Sequence, residues 1–451
     1  MNRLPSRAIT LLYLAAAHLA LVLAFGLAAW RPDTVAGFFY HPRMAALVHL
    51  VTLGWITFSI FGAFFIVGPL SLRIDMRARR ADYAAFGLAV VGLVGMAAHF
   101  WIERFSGMAW SAATIGIGAM YMAGRIAAET WHARVPLAVR LHVVLACANF
   151  WLAAGLGLLL AVNKVVPVLP GFVLSNVFAH AHMAAVGWAT MMVVGVGYRL
   201  LPMVLPSKMP SGPLLYASVA LLEAGVLGLF TSLLLHGAWS APFGLLVAAG
   251  IAAFVSRVAW MLRHPAPRPA AAPRVDFAIV HAAGAGLCLV ASVGLGVFLT
   301  LAPLSTLWLR AAAAYGVLGL IGFLAQMIVA MEARLLPLAA WCWAYAQSGY
   351  TTAPLSPHRM HNRGLQALVF AGWALGVPAL AAGMALASPS LVGLGAASLA
   401  VAVGLAAVDN VLLLAGAHAA TGSRRRSAGE AGRGIFPAAA RTSTRSDVPR
   451  G

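Results

Sequence analysis

Hydrophobic residues in this chain run in long unbroken blocks, not in the alternating or one-faced patterns of a water-soluble fold. About 20 consecutive apolar residues cross the hydrocarbon core of a bilayer. Blocks of that kind fall at residues 8–30, 44–70, 83–102, 108–128, 138–162, 172–202, 213–235, 240–262, 276–301, 306–336, 365–386 and 390–417. Twelve membrane-spanning helices are therefore predicted. The first block follows Arg3 and Arg7 as the apolar core of a signal peptide would. Its run is too long for one and no small-x-small site follows, so it is counted as a helix. Two connections are not short: a Pro/Ala-rich basic linker at 263–274, and a run at 338–363, aromatic and then polar, that suits the membrane interface. From Gly422 the chain is rich in Arg, Ser, Gly and Ala without apolar periodicity, which predicts a disordered basic tail over 422–451.

Composition agrees with this picture. Of 451 residues 62% are hydrophobic and 9% charged, with a mean hydropathy of +0.90, whereas soluble domains carry about 25% charge. The formal charge of +19 would suit nucleic acid in a soluble chain; here the apolar bulk excludes that partner and names the lipid bilayer instead. The charges also orient the helices. With the N-terminus inside, only Arg31, Arg43, Arg104, Lys164 and Arg310 of the 30 basic residues fall outside. That bias predicts cytoplasmic N- and C-termini. Cys147, Cys288 and Cys342 lie in apolar stretches with no CxxC or CxxCH, so neither a disulfide framework nor covalently attached haem is expected.

An internal repeat organises the chain. His49 to Pro69 reads HLVTLGWITFSIFGAFFIVGP, and His182 to Pro202 reads HMAAVGWATMMVVGVGYRLLP. At an offset of 133 they share His, Gly-Trp, Thr, a second Gly (Gly62, Gly195) and Pro. Gly322 to Pro337 follows the second copy at an offset of 135, keeping Gly, Met, Val and Arg-Leu-Leu-Pro, with Val317 where His would stand. His18, His142 and His281 echo one another in the first helix of each unit. Three four-helix units are predicted, at about 8–128, 138–262 and 276–417, related by pseudo-threefold symmetry.

Polar side chains inside a membrane are costly and mark functional sites by default. His49, His180 and His182 all lie a turn or more inside spans two and six, at comparable outer depth, with His99 near that level and His41 in the preceding loop or helix start. Neutral imidazoles converging from separate helices are what haem iron or copper requires. His180 and His182 stand two residues apart, about 200° around a helix, so they serve different neighbours. The order of preference as ligands is His49 and His182, then His180, with His99 and His41 behind. Glu223, Asp409, Asn410, Gln326 and Asn149 are candidates for a hydrophilic path. Glu332 and Arg334 are expected to pair locally or reach the interface, and Arg73, Arg77, Arg79 and Arg80 to contact lipid head groups.

The phrases HLVTLGWITFSIFGAF and AHAHMAAVGWATMMVVGVGYRLLPM, set in three four-helix units, resemble subunit I of the haem–copper oxidases and nitric oxide reductases, and the NnrS proteins, over residues 8 to about 417. The resemblance implies an all-α fold of twelve transmembrane helices in a bacterial-type inner membrane. It also implies haem b, with copper as a second cofactor, and respiratory electron transfer or nitric oxide handling with redox proteins or quinone as partners. His49 matches the family's low-spin haem position on the second helix. The departures are specific: span ten has no histidine, span six lacks a His-Pro-Glu copper motif, and span seven lacks a His-His pair. A complete proton-pumping oxygen reductase is therefore not expected. The alternatives are a cofactor-free proton-linked transporter or sensor, and a scaffold or assembly subunit on the same fold.

Overall fold

The structure is a computed structural model describing residues 4–433, with side chains to residue 417. The long helices are α1 (Arg7–Trp30), α2 (Pro42–Leu72), α3 (Arg80–Trp101), α4 (Met108–Trp131), α5 (Leu137–Asn163), α6 (Val173–Val204), α7 (Leu214–Leu234), α8 (Ser240–Arg263), α9 (Phe277–Leu301), α10 (Thr306–Gln347), α11 (Arg363–Ala385) and α12 (Pro389–Arg433). Eleven of these are long and apolar enough to cross a membrane. The exception, α4, has the length, at 24 residues, but Arg125, Glu129 and several hydroxyls dilute its apolar character. Among the described residues the only β pairing is an isolated bridge between Ser207 and Pro265.

Two ends differ from expectation. α10 does not stop at residue 336 but continues through Pro337 to Gln347, so much of the aromatic run expected at the interface is helix. There Trp343 Nε1 donates to the Pro5 carbonyl at 2.8 Å, tying that extension to the start of α1. α12 likewise continues beyond its apolar part, which ends at Ala417, to Arg433. Of the predicted tail over 422–451, residues 422–433 are described as the end of this helix. Residues 434–451 lie outside the described residues.

The centre is built by α2, α6 and α10. Each carries an eight-residue π-helical stretch: Leu50–Thr57, Met183–Thr190 and Leu318–Ala325. These begin 133 and 135 residues apart, the offsets of the sequence repeat. π-Helices are rare and cluster at functional sites. In two of the three, a threonine hydroxyl caps the widened turn by donating to the carbonyl five residues back: Thr57 to Thr52 at 2.9 Å and Thr190 to Ala185 at 2.8 Å. The tryptophans then cross between helices. Trp55 Nε1 donates to the Ala325 carbonyl at 3.2 Å, and Trp188 Nε1 donates to Thr57 Oγ1 at 3.1 Å. Phe323 stands at the third equivalent position and has no N–H to give.

The first helices α1, α5 and α9 press on the same stretches through glycine. Gly54 faces Ala20, Gly187 faces Asn149, and Gly322 faces Cys288. Gly62 faces Tyr13, while Gly195 faces His142. This register puts Tyr13, not His18, in the place of His142 and His281; His18 sits five residues further along. The outer hairpins α3–α4, α7–α8 and α11–α12 each close through glycine as well. An added Cβ would stand 2.7 Å from Val247 N at Gly225 and 2.6 Å from Val392 N at Gly383, and at Gly92 it would meet Ile115 N. Close backbone approach of this kind drives helix association where lipid removes the hydrophobic incentive.

The α3–α4 hairpin also buries an ion pair that the sequence reading did not single out. Asp82 is fully buried and accepts from Arg125 Nη1 and from Tyr121 Oη at 3.3 Å, while Arg125 Nη2 donates to the Arg77 carbonyl at 2.6 Å. Breaking such a pair leaves one charge buried alone. Asp82→Asn should lower stability by about 3–5 kcal/mol, whereas Asp82→Leu with Arg125→Met should cost only the ~1 kcal/mol of the helix cap that Asp82 gives Arg79 N. Thermal or denaturant unfolding of the detergent-purified variants checks both values.

Candidate functional site

Two layers of polar chemistry lie around the axis between α2, α6 and α10. The upper layer contains the histidines. His49 is the last α-helical residue before the first π stretch, and His182 the last before the second. The ring facing His49 belongs to His180, not His182: their centroids are 6.3 Å apart and their planes 25° from parallel. His49 also stacks on Phe100, with centroids 5.4 Å apart. His182 turns the opposite way and faces Tyr315 of α10, with centroids 6.1 Å apart, planes 25° from parallel, and Tyr315 Oη 3.4 Å from His182 Nε2.

The repeat explains why these two pairs are so alike. His49, His182 and Val317 are equivalent at offsets of 133 and 135, and so are Leu47, His180 and Tyr315. Each unit's first position meets the next unit's second, giving His–His at one edge and His–Tyr at the next. The residues at the third edge, Val317 and Leu47, have no polar atoms in their side chains. Tyr315 was overlooked in the sequence because only histidines were followed; extending the offset of 135 from His180 would have found it.

Each of the three imidazoles is anchored by Nδ1 on a main-chain carbonyl: His49 on Ala45 at 2.7 Å, His182 on Phe178 at 2.8 Å, and His180 on Ala153 of α5 at 3.0 Å. A carbonyl only accepts, so Nδ1 carries the proton and Nε2 keeps its lone pair. No hydrogen bond reaches Nε2 of His49 or His180 among the described residues. His99 and His41 do not join the layer. His99 Nδ1 bonds the Arg104 carbonyl at 2.7 Å in the loop after α3, and His41 caps α2, its Nδ1 accepting from Arg43 N at 3.3 Å.

The lower layer lies nearer the start of α1. Glu332 does not pair with Arg334. Its carboxylate instead accepts from Asn410 Nδ2 at 3.1 Å and lies 3.5 Å from His18 Nε2. Arg334 turns away to Asp276 and to His358 Nδ1 at 2.9 Å. Asp409 accepts from His361 Nδ1 at 2.7 Å and from Asn362 N at 2.9 Å. Gln326 Nε2 lies 3.4 Å from His281 Nδ1, and Asn149 Nδ2 donates to Glu223 at 2.8 Å. The side chains expected to line one path are thus divided: Glu223 and Asn149 form a separate contact between α5 and α7. His361, in a polar loop, gave no periodic signal that would have marked it.

Two cavities adjoin this layer. A central apolar one of about 100 Å³ is walled by equivalent positions of the three repeats, among them Ile60, Val193 and Ile328, with Glu332 at its margin. A smaller one of about 30 Å³ is bordered by Glu332, His361, Asp409, Asn410 and His281. No family model and no curated protein matches the chain.

In the turn before α11, burial first and then the neighbouring Arg334 guanidinium hold His358 below the usual histidine pKa, with Asp276 opposing them. Protonation of His358 therefore works against the folded loop. The contribution of His358 to the loop's stability is fully present above about pH 6.5, the unperturbed value, and is lost as pH falls through the lower folded value. Hydrogen–deuterium exchange over residues 357–362, corrected for intrinsic rates, should rise on acidification, and His358→Asn should flatten that response.

Proposed function

We propose that the chain is a haem b-binding protein of the bilayer, with α4 counted as its twelfth span, acting in electron transfer or nitric oxide handling. The observation that carries this reading is the His49–His180 pair. Its rings come from separate helices, with both Nδ1 protons on main-chain carbonyls and both Nε2 lone pairs without a hydrogen bond. A carbonyl on the far nitrogen is the usual support of a metal-ligating histidine, since it fixes tautomer and ring orientation. His49 and His180 would hold the group through these two Nε2 atoms. Two protein ligands suffice for haem iron because the macrocycle supplies the other four nitrogens. Haem held there would supply one-electron chemistry.

Copper does not fit equally well. Among the described residues there is no group of three or more His, Cys, Asp or Glu side chains that could hold a metal ion, and no step is assigned to copper. His182 faces Tyr315 and is not placed in the haem pair. Around the pair the protein's own contribution is orientation: Phe100 backs His49 and Gly157 leaves the room that His180 fills. The reading places the chain in a bacterial-type inner membrane with quinone or a respiratory redox protein as electron partner.

Purified from a haem-replete host, the protein should show haem b by pyridine haemochrome, with a reduced-minus-oxidised difference spectrum. His49→Ala and His180→Ala should each lose most of that haem while keeping helical circular dichroism. His182→Ala, His99→Ala and His41→Ala should retain it. Full haem content in both His49→Ala and His180→Ala, or no haem in the wild type, would overturn the assignment.

A further inference from the structure

The lower polar layer is costly to bury and takes no part in the haem reading, so it calls for its own account. Four separate segments converge on Glu332 of α10: His18 comes from α1, Asn410 and Asp409 from α12, His361 from the loop before α11, and His281 from α9 across the small cavity. Glu332, Asp409 and His18 are each more than nine-tenths buried. Arg334, two residues along α10, is committed to Asp276 and His358 and does not neutralise the cluster.

The tautomers of the two imidazoles are fixed by their partners. His18 Nδ1 donates to the Leu14 carbonyl at 3.0 Å, and His361 Nδ1 donates to the Asp409 carboxylate at 2.7 Å. The proton on each ring therefore sits on Nδ1, and Nε2 is the atom that gains or loses one. His18 Nε2 is the atom beside Glu332. His361 Nε2 is buried and has no hydrogen-bond partner among the described residues. Between His361 and Glu332 lies the small cavity of about 30 Å³. That exceeds the ~10–15 Å³ that one water needs, and its polar lining offers the several partners a buried water requires.

Glu332 is also the one ionisable side chain at the margin of the central apolar cavity, so it borders both spaces. Position decides its role here. The residues equivalent to Glu332 in the other two units are Phe64 and Gly197, so only α10 brings a carboxyl to the axis. We propose that Glu332, His18, Asp409, Asn410 and His361 form a proton-loading site, which takes protons from the loop beside His358 and presents them on Glu332 to the central cavity. In each transfer a proton leaves an imidazolium Nε2 and joins the Glu332 carboxylate. The products are a neutral imidazole and a neutral carboxylic acid, so charge balances and no other reactant is needed. Buried Asp, Glu and His chains of this kind are the usual proton relays of membrane proteins.

The site stands on residues that do not touch His49 or His180, and it is tested without haem. pH-induced infrared difference spectra of the full chain reconstituted in lipid should contain a carboxylic acid C=O band that shifts in D₂O. Glu332→Gln, which keeps the shape and a hydrogen-bonding partner for Asn410, should abolish the band. Glu332→Asp should keep it at a shifted frequency. Asp409→Asn should leave the band but slow its response to a pH jump. Glu223→Gln, at the separate α5–α7 contact, should leave all of this unchanged. A difference spectrum identical in wild type and Glu332→Gln, or a Glu332 band that neither shifts in D₂O nor follows bulk pH, would overturn the proposal.

Discussion

The structure depends on how closely α2, α6 and α10 approach one another at their π-helical stretches. A bilayer gives helices no hydrophobic reason to associate, so packing and hydrogen bonds must do it. Here the widened turns put a tryptophan N–H from one helix on a carbonyl or hydroxyl of the next. Each such bond contributes about 1 kcal/mol net, but its larger effect is to fix the rotation of the helices about their axes. Once rotation is fixed, the histidines one turn above and the Glu332 region below both face inward. The first helices can close on this centre only because Gly54, Gly187 and Gly322 lack side chains.

Much of this is legible in the sequence, because lipid imposes a simple rule: apolar blocks of about 20 residues are helices. The blocks and the offsets of 133 and 135 could be read directly. The same offsets reappear in the π stretches, which no composition rule would have announced. The misjudged features are those that depend on rotation. The histidines precede the π stretches, so their depth follows from the span boundaries, but which ring faces which neighbour depends on how α2 and α6 are turned about their own axes by packing elsewhere. The depth of the histidines could thus be read, but the pairing of His49 with His180 could not. Glu332 and Arg334 failed as a pair for a related reason. Two residues apart they face different sides of α10, and each found a partner on another helix.

Departures from the repeat are as informative as its agreements. Tyr315 for His180, Val317 for His49, Phe323 for Trp188 and Glu332 for Gly197 all fall in α10. Three helices of common plan have therefore been given unequal chemistry. α2 and α6 supply the imidazole pair, and α10 supplies the carboxyl.

This inequality has a mechanical side. α2 and α6 are joined at two depths, by the facing rings of His49 and His180 and by the Trp188–Thr57 hydrogen bond, so they form a rigid pair. α10 meets α6 at the level of Tyr315 and α2 at the level of Ala325. Further along it is fastened again, by Glu332 to α1 and α12 and by Trp343 to the Pro5 carbonyl. The carboxyl therefore sits on a stretch of helix held on both sides of it, so a proton gained or lost there acts on a group whose backbone is fixed in place.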